Sequence, residues 1–159
     1  MLHTLAALVE NHPGVLIRVA GLFARRAYNI DSLSVCQTED PEISRMTIMV
    51  HGDDQVIEQV INQLNKLVIV LSVTDLTTES VVDRELALIR INVSSETRAE
   101  VLQTVDIFRG RVVDMGRTNL TVELTGNTEK TDAFVNAVRP YGLLELVRTG
   151  KIAIKRSEV

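Results

Sequence analysis

The run His3-Thr4-Leu5-Ala6-Ala7-Leu8-Val9-Glu10-Asn11-His12-Pro13-Gly14-Val15-Leu16-Ile17-Arg18-Val19-Ala20-Gly21-Leu22-Phe23 changes its periodicity halfway along. Residues 3–9 are almost continuously apolar, which suits a strand buried on both faces. Residues 10–14 are loop formers. From Val15 onward the spacing is helical: Val15, Leu16, Val19, Leu22 and Phe23 fall on one face, with Arg18, Arg25 and Arg26 pointing away. A strand feeding a helix through a Pro-Gly turn predicts the start of a mixed α and β unit.

The same logic extends along the chain. Residues 29–35 and 44–50 read as strands joined by the polar connection Thr38-Glu39-Asp40-Pro41-Glu42. Asp53 or Asp54 can cap a second helix with Val56, Val60, Ile61 and Leu64 inward, and residues 68–74 supply a fourth strand. After the polar stretch Thr77-Thr78-Glu79-Ser80 the order repeats. Residues 85–93 form a strand, and Ser94 or Ser95 caps a helix carrying Val101, Leu102, Val105 and Phe108 inward. Residues 111–115 and 120–124 form a hairpin turned at Gly116-Arg117-Thr118-Asn119. Asn127 caps a helix with Ala133, Phe134, Ala137 and Val138 on its buried face, and residues 143–147 and 152–154 close the second half. Two βαββαβ patterns predict an α+β protein of two ferredoxin-like sandwiches in tandem, residues 1–77 and 78–159.

Each half has only about 75–80 residues, a size at which a lone core is marginal. Helices cover one face of each sheet, and strands apolar on both faces need a second cover, for which self-association as a dimer is the simplest device.

Composition narrows the function. The chain of 159 residues has a net charge of −4, 3% aromatics and no Trp, so it lacks both the basic footprint and the stacking platforms of a nucleic-acid binder. No apolar run is long enough for a membrane span, no secretory leader stands at the start, and one cysteine precludes an internal disulfide framework; a cytoplasmic location is expected.

A catalytic or metal centre is not legible. His3, His12 and His51 are scattered and read as surface or strand-end residues, and Cys36 reads as a small packed hydrophobe without an activating base. Glu39, Asp40 and Glu42 crowd a hairpin tip as solvated charge. Gly126-Asn127-Thr128-Glu129-Lys130-Thr131 lacks the second glycine of a phosphate loop and reads as a turn and helix cap.

One local arrangement fits a ligand. The backbone N–H groups opening the helix at Val15 have no partner within the helix and can hold a carboxylate. Gly14 leaves the backbone open, and the Asn11 side-chain carbonyl can accept from an ammonium. These are the two ends of a free amino acid. Read locally, the same residues also serve as a plain turn into a helix.

Leu8-Val9-Glu10-Asn11-His12-Pro13-Gly14-Val15-Leu16, followed by Arg18-Val19 and Gly21-Leu22-Phe23, resembles the opening of an ACT domain, specifically that of acetolactate synthase small subunits. Arg25-Arg26-Ala27-Tyr28-Asn29-Ile30-Asp31-Ser32-Leu33, Ser44-Arg45-Met46-Thr47-Ile48 and Gln63-Leu64-Asn65-Lys66-Leu67-Val68 continue the likeness. In the second half it is carried by Arg84-Glu85-Leu86-Ala87-Leu88-Ile89, Ile107-Phe108-Arg109-Gly110, Val122-Glu123-Leu124-Thr125-Gly126 and Arg148-Thr149-Gly150-Lys151-Ile152-Ala153.

The resemblance implies a non-catalytic regulatory subunit in valine, leucine and isoleucine biosynthesis. Such a subunit activates a large catalytic partner that carries thiamine diphosphate, magnesium and FAD, and makes it sensitive to a branched-chain amino acid, usually valine. It also implies an effector site between two ACT domains, with Asn11, Gly14, Val15 and Leu16 of one protomer facing Asn29 and Ile30 of the other. Ala27, where the family often has Gly, and Cys36, where Ala is usual, depart from its pattern. The alternative is a free-standing amino-acid sensor acting on a different partner.

Overall fold

The computed structural model describes residues 1–157. The chain forms two compact units, one of Met1–Val82 together with the described residues from Lys151 onward, the other Asp83–Gly150.

In the first unit β1 (Leu2–Glu10), α1 (Val15–Arg25), β2 (Ile30–Gln37), β3 (Ile43–His51), α2 (Asp54–Asn65) and β4 (Val70–Asp75) follow in order. The strands form an antiparallel sheet of order β2-β3-β1-β4. In register, Leu5 pairs Ile48 and Ala7 pairs Met46. Period-two alternation therefore puts Leu5, Ala7, Val9, Met46, Ile48 and Val50 on one face. Against that face pack Val15, Val19, Leu22 and Phe23 of α1 and Ile57, Val60 and Leu64 of α2. The expected helix phases needed small rotations. Leu16 is 46% exposed, and on α2 Ile57 is buried while Val56 and Ile61 are only half-buried. Asp53 is the α2 cap, its carboxylate accepting from the Val56 N–H at 2.8 Å.

The second unit contains most of β5 (Val81–Asn92), then α3 (Arg98–Ile107), β6 (Arg111–Met115), β7 (Asn119–Gly126), α4 (Thr128–Gly142) and β8 (Leu143–Arg148). Its sheet has the order β6-β7-β5-β8, with a fifth strand also paired to β5. Ala87, Ile89, Ile91, Leu120, Val122 and Leu124 face Val101 and Val105 of α3 and Phe134 and Val138 of α4. Both sheets have the antiparallel βαββαβ topology of a ferredoxin-like sandwich, so the α+β reading holds.

Three local readings are corrected. The buried stripe of α4 is Thr131, Phe134, Val135 and Val138, and Ala133 and Ala137 are exposed. Alanine carries too little apolar area to fix a helix phase. The α3 cap position is Thr97; Ser94 instead shapes the preceding turn, its hydroxyl oxygen accepting from the N–H groups of Glu96 and Thr97. The third concerns residues 152–154, which pair with β5 as the fifth strand of the second sheet and at the same time cluster with residues of the first unit.

That last segment, β9 (Ile152–Lys155), is grouped with the first unit by its contacts. Ala153 clusters with Ala6 and Leu76, Arg45 Nη2 donates to the Ala153 carbonyl at 2.8 Å, and the Lys151 N–H donates to Ser32 Oγ at 3.4 Å. Part of the second cover expected from self-association is thus supplied by the chain's own C-terminal segment.

A candidate amino-acid site at the start of the first helix

The turn from β1 into α1 is held from three directions. The Glu10 N–H donates to the Ile69 carbonyl at 2.9 Å and the Asn11 N–H to the Glu42 carbonyl at 2.8 Å. Asn11 Nδ2 donates to the Pro41 carbonyl at 2.8 Å. A carbonyl oxygen only accepts, so the Asn11 amide is oriented by chemistry and its own Oδ1 is turned outward as an acceptor.

Gly14 sits at the cap position with φ 89° and ψ −8°, the left-handed region that glycine adopts without a steric penalty. A Cβ built there would meet nothing within 4 Å. No side chain caps α1 and no acid lies in its first turn. The N–H groups of Leu16 and Ile17 and the positive end of the helix dipole therefore face an open surface. Leu16 is exposed and available for contact, whereas the Val15 side chain is buried in the core and its N–H donates to the His12 carbonyl at 3.4 Å.

Asn29 and Ile30 stand elsewhere. Glu10 pairs Ile43 at one end of the sheet, while Ile30 pairs Val50, which pairs His3, at the other. The two groups are separated by the length of β1 between His3 and Glu10, about 23 Å at 3.3 Å per residue. One chain cannot close them around one amino acid. Asn29 is exposed and its Nδ2 donates to Asp31 Oδ1 at 3.1 Å; Asp31 Oδ2 in turn accepts from His51 Nδ1 at 2.7 Å. The sequence reads His51 only as a surface or strand-end histidine and gives Asp31 no role of its own. The Asn-x-Asp spacing was a visible signal, but the pairing with His51 is a contact between strands.

The other polar residues are accounted for without catalysis. His12 Nε2 lies 2.7 Å from Glu10 Oε2, and this hydrogen bond, with a second to the Pro13 carbonyl, raises the His12 pKa above 6.5. His3, read as a surface or strand-end residue, lies at the start of β1, is 3% exposed and sits 3.4 Å from Asp75, with Thr77 alongside. Burial pushes the Asp75 pKa up, but hydrogen bonds from Thr77 and His3 outweigh it and hold the carboxyl below 3.8. Cys36 is exposed rather than packed. The Gly126 loop is a cap, with Asn127 Oδ1 accepting from the Lys130 N–H and Lys130 Nζ donating to the Thr125 carbonyl. Among the described residues no three His, Cys, Asp or Glu side chains gather as metal ligands, and no helix is long and apolar enough to cross a membrane.

Two ferredoxin-like units in tandem, the first with an open helix start beside its first strand, define a fold class that includes ACT-domain regulatory proteins. Comparison with known proteins narrows it. Residues 5–72 match the AHAS small subunit-like ACT domain, and residues 84–157 match the family described as small subunit of acetolactate synthase. The chain is 54% identical to a probable acetolactate synthase small subunit of Archaeoglobus fulgidus over 98% of both chains. It is 44% identical to the acetolactate synthase small subunit of Mycolicibacterium smegmatis, covering 97% of this chain and 92% of that one. The crystal structure of the acetolactate synthase small subunit from Thermotoga maritima superposes with a TM-score of 0.91 at 43% identity, covering 100% of this chain and 99% of that one. The chain belongs to the acetolactate synthase small-subunit family. It is a non-catalytic regulatory subunit, with a catalytic subunit as partner and an amino acid as the effector of its ACT domain.

Proposed function

We infer that this subunit, acting in the cytoplasm, raises the turnover of a thiamine-diphosphate-dependent acetolactate synthase and makes it sensitive to a branched-chain amino acid, valine foremost. Residues 1–77 form the sensing domain and residues 78–159 the second domain in this reading. The cofactors thiamine diphosphate, magnesium and FAD belong to the catalytic partner.

One observation carries the sensing role: an uncapped, sterically open helix start lies beside an asparagine whose carbonyl oxygen is free to accept. The first binds a carboxylate and the second an ammonium, which together distinguish a free amino acid from other small apolar molecules.

The opposite placement of Asn29 and Ile30 supports a homodimer through the ACT domains. β2 is an edge strand, and from Ser32 to Gln37 it reads Ser-Leu-Ser-Val-Cys-Gln, without the Lys or Pro that guards an exposed edge. Antiparallel pairing of β2 with the same strand of a second copy reverses its direction. That carries the partner's start of β2 to the Gln37 end, which is the Asn11 end of the sheet. Asn11, Gly14, Val15 and Leu16 then meet Asn29 and Ile30 across the interface.

Thermal melting of the isolated chain against the twenty amino acids, with sedimentation of the same samples, tests this reading. A ligand at about a hundredfold over its Kd adds about 2.7 kcal/mol. The expected result is a dimer stabilised selectively by branched-chain amino acids. A monomer at micromolar concentration, stabilised by none of them, would overturn it.

A further inference from the structure

We propose that Asp31, anchored by His51, is a positioning residue that fixes the Asn29 amide so that it recognises the ammonium group of the effector. The inference rests on the two-chain effector site described above.

Asp31 occupies an irregular place in β2. Ile30 pairs Val50 and Ser32 pairs Met49, so the register shifts across Asp31, which is the extra residue of a bulge. Bulges re-aim side chains that regular pairing would direct along the sheet face. Here the carboxylate is shared: Oδ1 accepts from Asn29 Nδ2 at 3.1 Å, and Oδ2 accepts from His51 Nδ1 at 2.7 Å. His51 ends β3, a central strand flanked by β1 and β2, so the anchor is tied to the body of the sheet.

The chemistry removes the usual ambiguity of an amide. An ionised carboxylate only accepts, so the Asn29 atom beside it must be the NH2 group. With one N–H of its NH2 group given to Asp31, Asn29 turns Oδ1 away from the carboxylate and offers it to a ligand. Asn11 is held the same way by the Pro41 carbonyl. Two amides with their NH2 groups engaged by acceptors offer two carbonyl oxygens, a donor-seeking pair that fits an ammonium and disfavours a second carboxylate. The Asp31 charge behind Asn29 polarises the same contact. No other residue within β2 can fill this role, because Ile30–Gln37 contains a single carboxylate.

The test uses the full chain and two probes, valine and 3-methylbutanoate, which keeps the side chain and carboxylate of valine but has no ammonium. Calorimetric affinities are measured for the wild type, Asp31→Ala, Asp31→Asn and His51→Ala. The expected result is a loss of about tenfold in valine affinity for Asp31→Ala, the scale of one hydrogen bond to a charged group. Affinity for 3-methylbutanoate should be unchanged, so the preference between the probes collapses. Asp31→Asn, whose carbonyl can still accept from Asn29, should restore part of the preference. His51→Ala should erode it without altering β2. Equal weakening of both probes, or an unchanged ratio in both Asp31→Ala and His51→Ala, would overturn the inference. A wild-type chain that binds no amino acid would instead sink the effector-site reading.

Discussion

Replacing Gly14 by Asp separates the fold from the signal. Gly14 has φ 89°, and a non-glycine residue there costs about 1–2 kcal/mol, with Asp among the better tolerated. The new Cβ meets no atom within 4 Å, so no clash adds to this strain. A carboxylate beside the uncapped start of α1, which has no acid in its first turn, returns about 0.3–1 kcal/mol through the helix dipole. The net loss is about 1 kcal/mol, equivalent to roughly 4–8 °C in the melting temperature of a domain of this size.

The ligand suffers more. Two carboxylates about 4 Å apart repel by about 1 kcal/mol in water and about 4 kcal/mol at the effective dielectric of a protein surface. The new side chain also occupies the N–H groups the ligand needs. A loss of about 3 kcal/mol corresponds to an effector affinity roughly 150-fold weaker. The assay is the valine inhibition curve of the reconstituted complex, with melting of the isolated subunit alongside. Gly14→Ala serves as the control, since it shares the backbone strain without the charge and should shift the curve less. An unchanged inhibition curve for Gly14→Asp, on a complex shown to be intact, would refute the placement of the site.

Other expectations follow from the same geometry. Asn29→Ala should weaken the valine response about tenfold through the partner copy while activation of the catalytic subunit persists, as read by rate assays with and without valine. Arg148 donates to the nearly buried Glu85 and to Asp132, at 2.7 Å for the latter, so Arg148→Ala strands a buried carboxylate and should cost about 3–5 kcal/mol in urea unfolding. Asp75 titrates in the folded state below its ordinary 3.8, so it contributes stability that is present above that value and lost as pH falls through the lower folded value. Asp75→Asn should therefore reduce stability at neutral pH and flatten its decline below about pH 3.8, followed by circular dichroism.

The alternation of strand and helix was legible because hydrophobic periodicity is local, and the β1–α1 turn was legible because Pro13 and Gly14 are turn formers whatever their surroundings. Helix phase was less so. On α4, Ala133 and Ala137 occupied a plausible apolar stripe, yet Thr131 and Val135 are the buried residues, with the Thr131 hydroxyl donating to the Asn127 carbonyl. Nothing in residues 151–156 signalled that they cross back to Ala6, Ser32 and Arg45, because those contacts span more than a hundred residues. At the site, Asn11 and Gly14 were readable as ligand chemistry, whereas the Asp31–His51 anchor depends on a strand bulge that no local pattern announces.

The central claim is that an amino acid held by this chain controls an enzyme on another. The direct measurement is the rate of acetolactate formation by the catalytic subunit alone, with this chain added, and with this chain and valine together. The account predicts a rise in rate on adding the chain and a fall on adding valine, with the catalytic subunit alone indifferent to valine. A rate that ignores the chain, or a complex that ignores every branched-chain amino acid, would contradict it.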